Sequence, residues 1–201
     1  KLEAILGTTR YDDSYEDSDN IGGRLTLRKP IKQGVMLEAI LFHDDRSFLE
    51  KLPRDSDGYS MDGTLRYRID EAFLRWRKQG PAQEDWRLSS QVRFMRQKDN
   101  GAGYYDYDRL RLTQSVSRVF NKWEAGLLLS FTRHDYPVRK ADFNGSETLW
   151  RENWEVMLDF KRPLGEATSF FLDGQREHNR SNSLENVYDA YRVSAGIEWE
   201  I

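Results

Sequence analysis

Two short segments place histidine beside aspartate, a combination that can hold and deprotonate a water molecule. One segment contains Asp44 and Asp45 directly after His43, and the other contains His134 and Asp135. Each follows a run of apolar residues, so we expect each to lie where a strand ends. If the fold brings the two segments together, Asp44, Asp45, His134 and Asp135 form a candidate catalytic site for a hydrolase.

A second and larger set of candidate functional residues is charged and alternates with apolar residues. Arginine dominates its cations, because the chain contains 22 arginines and only nine lysines. Residues of both signs on one face can pair with each other, or they can line a polar conduit for anionic solutes. The set consists of Arg24, Arg28, Glu38, Arg66, Arg68, Arg87, Arg93, Arg109, Arg111, Glu124, Glu155, Asp159, Lys161, Arg192, Glu198 and Glu200.

The alternation that positions these charges recurs along the chain. Apolar and polar residues alternate with a period of two, which is typical of β-strands with two different faces. We expect about ten strands, with a bulge near Asp70 where the apolar residues change parity. The clearest segments are 2–6, 24–28, 35–41, 86–94, 123–132, 154–161 and 191–201.

The connections between these segments alternate in length. Long gaps are expected at 11–20, 45–61, 134–147 and 177–186, one of intermediate length at 98–104, and short ones at 29–34, 79–85, 121–122 and 162–166. Long loops would thus lie at one end of the sheet and short turns at the other. Five aromatic residues flank the short turns, and we expect them to form a girdle there: Trp86, Phe120, Trp123, Phe160 and Trp199.

The last strand carries a resemblance to a known class of proteins. Apolar residues occupy every second position from Tyr191 to Ile201, and this strand resembles the C-terminal signal strand of bacterial outer-membrane β-barrels. That class usually ends in Phe or Trp. The resemblance implies an all-β, antiparallel, up-and-down transmembrane barrel of about ten strands, spanning residues 1–201 as one domain. Both termini would be periplasmic, and the first and last strands would pair.

Composition excludes several other functions. The net charge of −3 gives no basic field for nucleic acid, and the absence of cysteine rules out disulfides. No apolar run is long enough for a membrane helix. We find no phosphate-binding glycine loop, serine nucleophile motif or metal triad, so no cofactor is expected. A soluble barrel with the apolar residues inside is the main structural alternative, because periodicity alone does not distinguish inside from outside.

The resemblance also defines three functional hypotheses. The first is a non-enzymatic barrel for passage or assembly of material across the outer membrane, with small anionic solutes or a polysaccharide as cargo, as in envelope export proteins. The second is a hydrolase similar to omptins, which are ten-stranded barrels with Asp and Asp–His pairs at the mouth. The third is a structural anchor or adhesin. Expected partners are outer-membrane lipid, lipopolysaccharide, the barrel-assembly machinery and an envelope complex.

Overall fold

The computed structural model describes residues 1–10, 16–80, 86–142 and 145–199. Within these ranges, ten antiparallel strands follow one another in chain order, and each pairs with the next. The expected all-β, up-and-down arrangement of about ten strands is therefore confirmed. The strands are β1 (Leu2–Thr9), β2 (Ser18–Lys32), β3 (Val35–Phe48), β4 (Arg66–Gln79), β5 (Arg87–Asp99), β6 (Tyr107–Phe120), β7 (Trp123–Lys140), β8 (Thr148–Pro163), β9 (Thr168–Ser181) and β10 (Tyr188–Trp199).

The shortest turns and the longest loop lie at opposite ends of the sheet. At the turn end, Asn121 and Lys122 connect β6 to β7 with positive φ angles of 45° and 67°. Two positive φ angles are characteristic of the tight hairpin turn that matches the twist of the flanking strands. At the loop end, β3 and β4 are connected by residues 49–65, the longest described connection.

The two faces of the sheet differ in composition. One row across β2, β3 and β4 contains Arg28, Glu38 and Arg75, and the neighbouring row contains Leu27, Ala39 and Leu74. We call the surface with the first row the charged face and the surface with the second the apolar face. Successive residues of a strand point to opposite sides of the sheet. The pairing of each strand with the next therefore assigns every strand residue to the charged face or to the apolar face.

The charged face is the more buried of the two. Glu38 and Asp44 on this face are 1% exposed, whereas Leu74 and Trp154 on the apolar face are 49% and 52% exposed. Three ion pairs on the charged face also join strands that are separated by one intervening strand: Arg109 to Glu71 (3.8 Å), Arg111 to Glu155 (3.7 Å) and Arg87 to Glu124 (3.3 Å). Since the described strands form a single sheet, one face can be this much more buried than the other only where the sheet curves around it, so the charged face is the concave one.

The pairing of the first and last strands differs from the expectation. Among the described residues, β1 pairs only with β2 and β10 only with β9, so the sheet has two edges. Apolar side chains on these outer strands are correspondingly open to solvent, as Leu2 (81% exposed) and Tyr191 (87% exposed) show. An edge strand lacks one neighbour, which explains the high exposure. Glu200 and Ile201 lie outside the described residues.

The expected bulge in β4 is wrong. Residues of β4 pair continuously with β3 and β5, without a change of register near Asp70. The apparent change of parity arises because Tyr67 and Ile69 lie on the charged face near the loop end, where apolar side chains pack against one another. Phe48 packs edge-to-face on Tyr67 at 5.1 Å, and Leu65 beside them is fully buried.

The described part of the chain is almost free of helix. A single 3₁₀ turn at Leu184–Asn186 lies in the connection between β9 and β10. None of the described residues belongs to a helix with the length and apolar character needed to cross a membrane.

Candidate functional site: the charged face

The centre of the charged face is organised around the buried carboxylate of Glu38. Its Oε1 accepts a hydrogen bond from Arg28 Nε at 2.5 Å, and its Oε2 accepts one from Arg75 Nη2. The three residues lie directly opposite one another on β2, β3 and β4, which is why their side chains meet. A carboxylate that is removed from water requires such charged donors, so this triad is a structural element of the face.

An aromatic ring extends the network from this triad toward β6. Phe73 is buried between two guanidinium groups, with Arg75 and Arg93 each 5.3 Å from its ring centre. The carboxylate of Glu71 then lies between Arg93 at 3.5 Å and Arg109 at 3.8 Å. Cation–π contacts and loose ion pairs therefore connect the three neighbouring strands β4, β5 and β6 across the middle of the face.

Toward the loop end, the charged face contains a cavity of about 310 Å³. We call it the basic cavity, because it contains three arginines against two glutamates. Its lining residues are Arg109, Arg111, Thr132, His134, Arg151, Asn153, Glu155, Glu177, Asn179 and Tyr188. They come from β6 to β10, five consecutive strands of the curved sheet.

The arginines of the basic cavity are only partly neutralised. Arg111 donates from Nε to Ser130 Oγ at 3.1 Å and lies 3.7 Å from Glu155. Arg151 has no ion pair or side-chain hydrogen bond within the described residues, and it lies directly opposite His134 on the neighbouring strand. The Nε atoms of Arg109 and Arg151 are buried and lack a hydrogen-bond acceptor. The cavity therefore has guanidinium donors to offer.

The glutamates of the basic cavity are held by neutral donors. Glu177 Oε1 accepts hydrogen bonds from Asn153 Nδ2 and from the Tyr188 hydroxyl, both at 2.5 Å. Glu155 Oε1 accepts one from Gln175 Nε2 at 2.8 Å. Fixed carboxylates beside available guanidinium groups give the cavity both acceptors and donors of strong hydrogen bonds.

Toward the turn end, the same face contains a cavity of opposite charge, about 330 Å³ in volume. We call it the acidic cavity. It is lined by Glu124, Asp159, Phe160, Lys161, Phe171, Asp173 and Glu198. Lys161 pairs with Glu198, but Asp159 and Asp173 lie directly opposite each other on β8 and β9. Like charges in such positions destabilise a sheet. Within the described ranges, no three His, Asp or Glu side chains are arranged to hold a metal ion.

Most charged residues that the sequence singles out lie together on this face. The register places Arg24, Arg28, Glu38, Arg87, Arg93, Arg109, Arg111, Glu124, Glu155, Asp159, Lys161, Arg192 and Glu198 there. Arg66 and Arg68 instead share the parity of Leu74 and lie on the apolar face, because β4 has no bulge. Glu200 lies outside the described residues.

The histidine–aspartate segments are not brought together. Asp44 and His134 lie on the charged face, on β3 and β7, whereas Asp45 and Asp135 lie on the apolar face. Asp44 accepts a hydrogen bond from Asn20 Nδ2 at 2.9 Å, and Asp135 binds Arg133 at 3.0 Å.

His134 has different neighbours from those that a water-activating pair requires. Its ring lies 5.5 Å from that of Tyr107 and stacks on Tyr136. The four residues therefore do not form a common site in this structure.

Sequence reasoning missed several members of the charged face. Glu71 and Arg75 were hidden by the apparent change of parity in β4. Arg151 precedes the clear alternation of 154–161 and Asp173 lies in a strand with ambiguous facing, whereas Glu177 was expected in a loop but belongs to β9. Strict parity counted from Leu74 would have found the first two. The last three lie opposite Arg109, Asp159 and Glu155 across intervening or adjacent strands, which only the register reveals.

No protein-family model matches the sequence, and a search of curated proteins found no match.

Proposed function

We propose that this chain is an outer-membrane β-barrel that serves passage or assembly of material across the membrane, with its charged face lining the lumen. The observation that carries the proposal is the band of exposed apolar side chains around the convex side of the sheet. Soluble proteins rarely expose so large an apolar surface. In a membrane barrel, the same surface contacts lipid.

The height of this band fits a bilayer. On the apolar face of β6, it extends from Leu110 to Phe120 and is interrupted by Gln114 and by Arg118, whose guanidinium lies 5.2 Å from the ring centre of Trp86. The next outward residue toward the loop end is Asp108, which binds Arg96 at 2.8 Å. A tilted strand crosses the hydrocarbon core with about 9–11 residues. At the loop end, the band therefore stops at a charged pair, and its length on β6 matches the thickness of the hydrocarbon core.

The turn end of the band carries the aromatic residues expected of an interfacial girdle. Trp86, Phe120 and Trp199 are 53%, 45% and 68% exposed. Phe120 pairs with Trp123 across the tight turn between β6 and β7. Amphipathic rings favour the headgroup level, so these residues would anchor the barrel at its periplasmic rim.

The band also crosses the hydrogen-bonded rows diagonally. The row through Leu6 continues to charged residues at Asp45 and Arg68, whereas the row through Leu112 remains apolar as far as Trp154 and then reaches Asp189. The band thus moves toward the turn end from β1 to β10. Strands of a closed barrel tilt against its axis, so a band of constant height must follow such a diagonal.

Barrel closure in the membrane is part of the proposal. Ala4 is the middle of the band on β1, and Ala195 is its middle on β10. We expect cysteines introduced at Ala4 and at Ala195, or at Ile197 one step further along the same face, to form a disulfide in outer membranes. Ala4 paired with Ala190, which lies on the charged face, is the matched control. Failure of every apolar-face pair would show that the sheet stays open.

Membrane insertion and passage need separate tests. A folded barrel should require detergent for extraction and should migrate faster on gels before heating than after it. Single-channel recording in planar bilayers then tests passage, and we expect conductance that favours anions. A detergent-requiring barrel without conductance would identify an anchor, and a monomer that is soluble without detergent would contradict the membrane assignment.

A further inference from the structure

We infer that the basic cavity is a binding site for an anionic sugar unit, with Arg109 and Arg151 holding its carboxylate or phosphate group. This inference rests on the proposed function, since it names the substrate class that the lumen would take. The cavity faces the inside of the sheet near the loop end, so it would be reached from outside the cell.

The charge of the cavity argues for an anionic group. Arg109, Arg111 and Arg151 face only two carboxylates, Glu155 and Glu177, inside the cavity. Arg151 has no partner among the described residues, and its buried Nε has no acceptor, like that of Arg109. An unsatisfied buried donor is costly. A carboxylate or a phosphate can accept two hydrogen bonds from a guanidinium fork, which removes this cost.

The remaining lining groups argue for hydroxyl groups on the same ligand. Glu177 and Glu155 each retain acceptor capacity beyond the contacts with Asn153, Tyr188 and Gln175. A simple inorganic anion would be repelled by these two carboxylates. A sugar that carries one oxyanion presents hydroxyl donors to them and its charge to the arginines.

The rim and the volume of the cavity also fit a sugar ring. Tyr107 and Tyr136 flank His134 at its edge, with ring centres 5.5 Å and 6.4 Å from the imidazole. Such rings offer apolar faces for the C–H side of a pyranose. The volume of about 310 Å³ lies at the small end of ligand pockets, which fits one sugar residue and excludes a folded chain.

The direct test is calorimetric titration of the detergent-solubilised protein with four small probes. We expect glucuronate or glucose 6-phosphate to bind, and comparison of these two distinguishes carboxylate from phosphate as the preferred group. Neutral glucose lacks the oxyanion, and acetate lacks the sugar, so both should bind at least about tenfold more weakly. Equal binding of glucose, or of acetate, would overturn the inference.

Arg151 provides the sharpest substitution, because nothing in the described structure depends on its side chain for an ion pair. We expect Arg151→Gln to weaken binding of the charged sugar on the order of tenfold. Arg151→Lys should restore part of the affinity, since it keeps the charge but loses the planar fork. The matched control is Arg192→Gln, an exposed arginine on the same face of β10 that is outside the cavity.

The outcomes separate this inference from the proposed function. If the protein is heat-modifiable and conducts ions but binds no charged sugar, or if Arg151→Gln binds as tightly as the parent, the sugar site is wrong and the barrel stands. If the protein is soluble without detergent, the proposed function fails. Charged-sugar binding that Arg151→Gln weakens would then still locate the ligand in the basic cavity.

Discussion

The two faces of this sheet are built from the same ten strands, yet they place opposite chemistry in opposite environments. On the charged face, Glu38 is nearly inaccessible and satisfied by two arginines. On the apolar face, Leu74 and Val92 are about half exposed, at 49% and 45%. This inverts the arrangement of a soluble barrel. The difference supports the proposal that the exposed apolar face contacts lipid.

The largest expected effect comes from placing one charge on each face at adjacent positions. Val92→Arg puts a cation in the middle of the apolar band, and we expect it to lower the free energy of unfolding in lipid vesicles by roughly 2–4 kcal/mol. Gln91→Arg, on the neighbouring residue of the charged face, should cost much less. Denaturant titration in vesicles measures both. Equal costs would mean that the two faces see the same medium.

The next largest effect is the difference in stability between substitutions in the buried part and in the half-exposed part of the charged face. Glu38→Gln leaves Arg28 and Arg75 without their shared carboxylate, and we expect a loss of roughly 2–3 kcal/mol in unfolding free energy. Glu124→Gln removes the half-exposed partner of Arg87 and should cost about 0–1 kcal/mol. A Glu38 variant as stable as the Glu124 variant would show that the triad is solvated.

A smaller change in unfolding free energy is expected when one carboxylate is removed from the acidic cavity or from the basic cavity. Asp159→Asn removes one of two carboxylates that face each other across β8 and β9, so we expect a gain of about 0.2–1 kcal/mol. Glu155→Gln in the basic cavity removes a partner of Arg111 and should instead destabilise the protein. Denaturant titration in vesicles would measure whether each substitution raises or lowers the free energy of unfolding. A loss on Asp159→Asn would contradict the repulsion assigned to this pair.

The smallest effect concerns a loop outside both faces. Burial raises the pKa of the Asp106 carboxyl, and the charge of Asp99 adds to this, although the Asp99 amide donates to it at 2.6 Å. A raised folded-state pKa favours folding below the ordinary value of 3.8, and this contribution is lost as pH rises through the folded pKa.

Asp106→Asn keeps the acceptor without the charge. We therefore expect the variant to be more stable than the parent at pH 7 and equal to it well below pH 3.8. Amide hydrogen exchange of residues 100–106 measures the difference, and the exposed Asp57→Asn in the loop 49–65 is the control. A difference that grows as pH falls would reverse the sign and contradict the burial of Asp106.

Much of the fold follows from local pattern, and much of the site does not. Alternation located the strands, and Asn121-Lys122 marked a tight turn, because both are determined by residues close in sequence. The pattern did not reveal which face is concave, since a period of two is symmetric. It failed in β4 because Tyr67 and Ile69 lie on the charged face, where Tyr67 packs against aromatic side chains at the loop end.

The contents of the two cavities depend on register, which sequence does not give. Arg151 joins Arg109 only because β7 pairs with both of their strands in the observed alignment, through His134. Likewise, Asp159 meets Asp173 through the β8–β9 ladder alone. The register between strands that are distant in the chain cannot be predicted from the pattern of one sequence.

The central claim is that the apolar face contacts lipid and the charged face contacts water. Nitroxide labels at Val92 and Val116 on the apolar face, and at Gln91 and Ser115 on the charged face, test it most directly in reconstituted vesicles. We expect the first two to collide preferentially with oxygen, which concentrates in lipid, and the second two with a water-soluble nickel chelate. The reverse pattern, or equal accessibility of all four positions, would contradict the account.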